Sequence, residues 1–449
     1  MRRGSLCVAA TGLAAAYGCQ AAGGAADGAT APGSCQFTVS TNALSPAIGT
    51  VGVVEWSLAD GPPTSAKIVY QLQNAASSLL NLGGEAPVDL GKANHRTLLL
   101  GLKQSRDYTF HIVAVREGKT CVSPDYSLPT TGTLANSRSI AVAVAQSAKR
   151  EPGFIVTSSG IYPPSSAFII DADGEIVWSF AGPESATRAL MDYEGRNMWM
   201  IALNVLNEGG EMRYVSMDGT QKQDQVPGLA FAHHDFTVMP GGKVAALSWA
   251  SPGNDPPSEV LIHAPDGTTT SAFTIGDDIF GAGPTYHANA LHYIESDDSF
   301  TIADRNENAV VKVSATGVPA WQVGGSCDGA PTGNGCLLPD QQLKHGHHLL
   351  DDGTLLVFNN GDTNHVLEFK LSGTAGAFSA TVVEDYTGDG SSDTLGDVQR
   401  LPGGNTLVTY SNNGQIVELD ASWNEVQTFT VRVGYSSWRP TLYGPPARL

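Results

Sequence analysis

Between residues 35 and 134 apolar and polar positions alternate with a period of two, the pattern of half-buried strands. It shows in Val51-Gly-Val53-Val54-Glu-Trp56, in Lys67-Ile68-Val69-Tyr70 and in Tyr108-Thr109-Phe110-His111-Ile112. From residue 138 the pattern becomes a repeat. A turn followed by a near-continuous apolar run recurs at Gly195-Arg-Asn-Met-Trp-Met-Ile, Gly242-Lys-Val-Ala-Ala-Leu, Asp298-Ser-Phe-Thr-Ile-Ala, Gly353-Thr-Leu-Leu-Val-Phe and Gly404-Asn-Thr-Leu-Val-Thr-Tyr. A second turn, between an apolar pair and a more amphipathic strand, recurs at Asp173-Gly174, Asp218-Gly219, Asp266-Gly267, Thr316-Gly317, Ser372-Gly373 and Trp423-Asn424. Both series step by about 50 residues, the length of one four-stranded propeller blade. The predicted fold class is all-β: a sandwich over 35–134, then a six-bladed β-propeller over 138–449. The first blade has no clear inner turn, so both ends of the domain are expected to complete it. The apolar strand after each inner turn is read as innermost, and the residues before it as one rim of the central channel.

Within the first segment, Leu102 and Tyr108 stand six apart in Gly-Leu-Lys-Gln-Ser-Arg-Asp-Tyr. This resembles the tyrosine corner of fibronectin type III and related immunoglobulin-like sandwiches, in which the tyrosine hydroxyl bonds upstream backbone. Trp56 takes the place of the early core aromatic. His95 and His111 are expected as core or surface histidines, not as ligands.

The first residues read as an export signal: Arg2 and Arg3, an apolar stretch from Leu6 to Ala16, then Tyr17-Gly18-Cys19. Residues 1–18 are assigned to a signal peptide and 19–34 to a flexible tether, lipidated on Cys19. Gln20 after the cysteine points to the outer membrane, with the protein periplasmic or on the cell surface. No apolar run beyond residue 20 is long enough to cross a bilayer, so the membrane is reached through the lipid anchor alone. Apart from Cys7 in the signal, Cys35, Cys121, Cys327 and Cys336 remain, an even number that suits disulfides in an oxidising compartment. Proximity in sequence favours Cys35 with Cys121 and Cys327 with Cys336 over the other two connectivities, which would tie the two domains together.

Charge narrows the range of partners. Lys and Arg total 25 against 44 Asp and Glu, a net charge of −19, whereas nucleic-acid binders need a basic footprint. Histidine is the informative residue. His233-His234-Asp235, Tyr286-His287-Ala-Asn289 and His345-Gly-His347-His348 each precede an inner turn, and His233 and His345 stand at the same offset from Gly241 and Gly353. Three successive repeats thus bring histidine to one level. Arg305, in Ala-Asp-Arg-Asn, follows its apolar strand directly, a position suited to an anion-binding guanidinium. No metal or cofactor is expected: the cysteines lack zinc spacing, and Asp385, Asp389 and Asp393 lie in turn-rich sequence.

The order His287-x-Asn289, Arg305, a small cysteine loop, His345 and Gln399-Arg-Leu-Pro-Gly-Gly-Asn405 resembles the bacterial arylsulfate sulfotransferases over residues 140–449. That resemblance implies PAPS-independent transfer of a sulfuryl group from an aryl sulfate donor to a phenolic acceptor through a sulfated histidine. His345 matches the nucleophile, and His287, Asn289 and Arg305 match the sulfuryl cradle. The His233-His234 pair matches a histidine that protonates the leaving phenolate. Tyr286, His347 and Thr394 are carried along as substrate-binding candidates. Lys344 stands where the family has Gln, Asn359-Asn360 stand for its Asp-Asn, and Thr394 aligns loosely. His347 shares a strand face with His345 and competes for its role, while His348 faces away. Two other readings remain open: a non-catalytic propeller that binds an anionic or sulfated ligand, and a surface interaction scaffold.

Overall fold

The computed structural model describes residues 35–447, apart from 92–93, 136–138, 162–163, 184, 203–211, 252–256, 281–285, 326–333, 336–344, 362–363 and 374–377. Cys19, Cys327, Cys336 and Lys344 lie outside the described residues, so the anchor and the small cysteine loop are not seen. Residues 35–449 form one compact unit.

The alternating segment folds into two antiparallel sheets. One joins Phe37–Leu44, Gly52–Leu58 and His95–Leu99; the other joins Gly83–Pro87, Ser65–Leu72, Tyr108–Arg116 and Lys119–Val122, with Tyr126–Ser127 beside Tyr108–Arg116. Their inward residues share a core of Trp56, Leu99, Ile68, Tyr70, Phe110 and Ile112. The Tyr108 hydroxyl accepts the Lys103 backbone N–H at 2.9 Å, the upstream bond expected of the corner. The Cys35–Cys121 disulfide forms, with Cα atoms 5.9 Å apart. His95 is buried against Trp56, ring centroids 4.7 Å apart, and His111 meets Asp125.

Among the described residues the repeat yields six further sheets, antiparallel except where Pro319–Gly324 pairs in parallel with Asn334–Gly335, a propeller-like series. Four begin with the strands Ala186–Met191, Ala232–Met239, Ala288–Ile294 and His347–Leu349, each followed by three or more outer strands. A fifth, Asp397–Arg400 to Glu425–Thr430, takes Ala141–Val144 on its outer edge. The remaining sheet runs Ile176–Ala181, Ser166–Asp171, Phe154–Ser158 and, last, Ser436–Arg439 from the other end of the chain. Both ends therefore complete sheets begun elsewhere, as the missing inner turn suggested.

One expectation is corrected. The strands after the inner turns, such as Lys243–Trp249 and Thr354–Asn359, are paired on both sides and are second in their sheets. The strand before each turn is first, and these first strands pack on one another from sheet to sheet. The histidines therefore lie on or at the start of the first strands rather than in loops before them. The second strands are apolar throughout because both faces are covered by neighbouring sheets.

The two parts share a polar and an apolar seam. Ile48, Val51 and Leu100 join the core of Ile169, Val177 and Trp178, and Thr50 Oγ1 donates to the Val177 carbonyl at 2.7 Å. At the seam Lys103, fully buried, pairs with Asp171 and with Asp173 at 3.0 Å. Burial opposes the ammonium charge, but Asp171, Asp173 and Glu175 outweigh it and raise the Lys103 pKa. Removing one partner of such a pair leaves buried charge uncompensated. Lys103→Ala is therefore expected to cost about 3–5 kcal/mol, read from urea unfolding. A loss within about 0.5 kcal/mol, the range of a surface substitution, would show that the seam does not contribute to stability.

Candidate active site

Backbone irregularity creates the site. Register shifts interrupt the first strands between Ala186 and Arg188, between Ala232 and Phe236, and between Ala288 and Ala290. A bulge inserts an extra residue and re-aims side chains. In the second of these, His234 takes φ 55, a left-handed conformation uncommon outside glycine. That turn lets the consecutive residues His233 and His234 make ring contact, where a regular strand would send them to opposite faces.

Three rings form a chain. His233 Nδ1 and His234 Nδ1 are 2.8 Å apart, and His234 Nε2 and His287 Nε2 are 3.3 Å apart. His233 stacks on Trp249 with centroids 3.8 Å apart, and its Nε2 meets Ser258 Oγ at 3.3 Å. Each nitrogen–nitrogen contact needs one donor and one acceptor, so three neutral imidazoles are satisfied only when their protons all point the same way along the chain. Burial first, and the neighbouring histidines next, push the His233 and His234 pKa values well down; at His234 the charges of His345 and Arg305 add to the effect. His233 and His234 therefore rest neutral.

His345 is set by a second network. Asn360 Nδ2 donates to the carbonyls of Ser392 at 2.6 Å and Leu395 at 2.9 Å. Its Oδ1 is thereby turned to His345 Nδ1, 2.8 Å away. A carbonyl oxygen accepts, so Nδ1 carries the proton and Nε2 the lone pair. Consistent with this, Asn289 Nδ2 stands 3.1 Å from Nε2 as donor. Gly346 makes the close approach possible: a Cβ there would lie 2.2 Å from Asp397 Oδ1 and 2.5 Å from its Cα.

Asp304 aligns the cradle. It accepts the backbone N–H groups of His287 at 2.7 Å, Asn306 at 2.9 Å and Glu307 at 3.0 Å, while Arg305 N–H donates to the His287 carbonyl at 3.0 Å. Burial, only partly offset by these bonds, raises the Asp304 pKa to about 6. Arg305 is exposed at the rim.

The structure thus brings His233, His234, His287, Asn289 and His345 together with Arg305 beside them. His347 is not part of this group: its Nε2 meets Thr301 Oγ1 at 2.8 Å and its ring stacks on His292 at 4.5 Å. The expected shared strand face does not arise, because the strand begins at His347 and His345 lies in the bend before it. His348 does face away, accepting the Arg400 N–H at 3.0 Å. Thr394 donates to Asn412 Oδ1 at 3.2 Å, and the Tyr286 hydroxyl donates to Asp277. Asn360, Trp249 and Asp304 were missed as site residues. Asn360 had a signal in the Asn359-Asn360 pair; Trp249 had none.

Residues 278–421 match the model of the arylsulfotransferase (ASST) family. No curated protein matches the chain. Among solved structures, the periplasmic gluconolactonase of Pseudomonas aeruginosa is 15% identical with a TM-score of 0.43, covering 64% of this chain and 99% of its own. A virginiamycin B lyase from Staphylococcus aureus is 11% identical with a TM-score of 0.40, covering 64% of this chain and 88% of its own. The β-propeller domain of the trilobed protease from Pyrococcus furiosus is 9% identical with a TM-score of 0.30, covering 91% and 99%. The chain carries an arylsulfotransferase-family domain and is a sulfotransferase-like enzyme.

The neutral chain has a measurable consequence. A histidine whose folded pKa is lowered binds a proton only on unfolding, so its contribution to stability is lost as pH falls below the ordinary value of about 6.5. In imidazole nitrogen NMR, His233 and His234 are expected to keep neutral-form shifts as the pH passes below that value. Titration of either ring with a midpoint at the ordinary value would contradict the buried chain.

Proposed function

We propose that the protein transfers a sulfuryl group from an aryl sulfate to a phenol through a sulfated His345. The observation that carries this reading is the fixed tautomer of His345, whose Nε2 lone pair opens toward Asn289, in a chain that matches the arylsulfotransferase family. In the first step Nε2 attacks sulfur. The N–S bond forms as the S–O bond to the aryl group breaks, and the electron pair leaves on the phenolate oxygen. His287, Asn289 and Arg305 hold the three sulfuryl oxygens, whose spread charge makes positioning and electrostatics the main work, as in phosphoryl transfer. The phenolate takes a proton from one end of the His233–His234–His287 chain as the other end takes one up from solvent, so the charge of the chain does not change. In the second step an acceptor phenol gives its proton to that chain, which returns one to solvent, as the phenol oxygen attacks sulfur and the N–S electron pair returns to His345. The Nδ1 proton stays on His345 throughout, hydrogen-bonded to Asn360 Oδ1. Neither a metal nor a nucleotide is needed for these steps.

In the same reading the six sheets close as a six-bladed propeller and residues 35–134 are a fibronectin-like domain, as the Tyr108 corner supports. The disulfide and the Gly18-Cys19 signal support export and a lipid anchor. Cys19→Ser is expected to move the protein from the membrane to the soluble fraction; unchanged fractionation would point to a simple cleaved signal.

Incubation with p-nitrophenyl sulfate, followed by peptide mass mapping, is expected to place one sulfuryl group on His345. His345→Asn should abolish the burst of nitrophenol. Asn360→Leu should slow it by about a hundredfold, in the range set by a misplaced reacting group, since the Nδ1 proton loses its acceptor. An adduct on another residue would reassign the nucleophile. No adduct with several donors, in folded protein, would favour a propeller that binds anions without turnover.

A further inference from the structure

The sheet beginning Ala186–Met191 supplies no histidine to the site, yet its Arg188 side chain reaches Asp235 and Asp397 from other sheets, and Tyr435. Arg188 is 3% exposed. Its Nε pairs with Asp235, and a terminal nitrogen donates to Asp235 Oδ2 at 3.3 Å. The other terminal nitrogen lies 3.1 Å from Asp397 Oδ2, and the guanidinium sits 4.4 Å from the centre of the Tyr435 ring. Asp235 belongs to Ala232–Met239, Asp397 to Asp397–Arg400, and Tyr435 immediately precedes Ser436–Arg439.

From this tie, contacts lead into the histidine cluster. The Tyr435 hydroxyl donates to the Asn289 carbonyl at 3.1 Å, and its ring lies 6.3 Å from that of His345. Asp235 follows His234 in the chain and accepts the Leu291 N–H at 3.0 Å, two residues beyond Asn289. Thr187, beside Arg188, donates to the His234 carbonyl at 2.7 Å. On its other side Arg188 lines a pocket of about 230 Å³ with His292, His347 and Asp397, walled by Leu190 and Phe236. His234, His287, Asn289, Arg305 and His345 do not line that pocket. The guanidinium therefore stands between the two halves of the channel.

We propose that Arg188 is a positioning residue for sulfuryl transfer, forming with Asp235 and Asp397 the floor of the chamber that fixes Asn289 and His234 about His345. The assignment rests on the sulfuryl-transfer reading for its function, though not for its geometry. A planar guanidinium bonds two carboxylates and lies on an aromatic face at once; an ammonium is a point charge and cannot do all three. Burial disfavours the charge, but Asp235 and Asp397 outweigh it and keep Arg188 cationic. Because Arg188 touches no group of the sulfuryl cradle, its loss should act on geometry at the nucleophile rather than on donor affinity.

The test is Arg188→Lys in the full chain, with the fold checked by unfolding. Single-turnover sulfation by p-nitrophenyl sulfate is expected to slow by about ten- to a hundredfold, with donor KM changed by no more than about twofold. Without donor, imidazole nitrogen spectra should show shifted His234 and His345 signals. Wild-type rates, an effect confined to KM, or unchanged spectra in folded variant would overturn the proposal. If Arg188→Lys does not fold, Asp397→Asn, which keeps the Arg188–Asp235 pair, is expected to give the same changes to a smaller degree, and wild-type behaviour there would overturn the proposal equally. If the wild-type protein forms no adduct with any donor, sulfuryl transfer fails, and the spectra alone decide whether Arg188 positions the histidines.

Discussion

The structure depends on the exchange of strands between the two ends of the chain. Ser436–Arg439 pairs with Phe154–Ser158, and Ala141–Val144 pairs with Glu425–Thr430. An unpaired strand leaves a row of backbone donors and acceptors that must find partners. Here each end supplies what the other sheet lacks, so the first and last sheets are held to each other by backbone bonds and not by side chains alone. Without that tie, Tyr435 would have no fixed place beneath Asn289, and the sheet beginning Asp397–Arg400 would not present Asp397 to Arg188.

On that frame the histidine cluster is made by departures from regular pairing. The bulges at Thr187, at His233–Asp235 and at Asn289 fall at matching levels of three neighbouring first strands. Each breaks the strict alternation that would otherwise divide adjacent residues between two faces. The left-handed turn at His234 is a local strain that the surrounding contacts sustain: Thr187 holds its carbonyl, and His233 and His287 hold its ring. Crowding of the buried imidazole rings keeps His233 and His234 neutral, the state in which a chain of rings can pass a proton in either direction.

The N-terminal sheets are joined to the remainder through more than a linker. Lys103 inserts a buried ammonium among Asp171, Asp173 and Glu175, and the same Asp173 accepts backbone N–H groups from Leu80 at 3.0 Å and Asn81 at 3.2 Å. The Asp173-Gly174 hairpin, one of the repeated outer turns, thus serves as a dock. Burying a charge this deeply is tolerated only where several opposite charges and donors converge, so the seam is specific in register as well as apolar.

The sequence by itself determined the all-β class, the repeat of about 50 residues, the sharing of the incomplete first sheet between chain ends, the Cys35–Cys121 bridge and the level at which His233, His287 and His345 meet. These follow from periodicity and spacing, which are local properties of the chain. It misjudged which strand of each repeat is first, because an apolar run looks the same whether it lines a channel or lies between two sheets. It left His347 in competition with His345, since a two-residue period applies only along a strand and the strand here begins at His347. Tertiary structure alone decided the tautomer of His345 through Asn360, the order of the three-ring chain, and the place of Arg188 between Asp235 and Asp397. Those depend on atoms brought within about 3 Å, the length of a hydrogen bond, from sheets far apart in sequence, a distance that no pattern along one chain encodes.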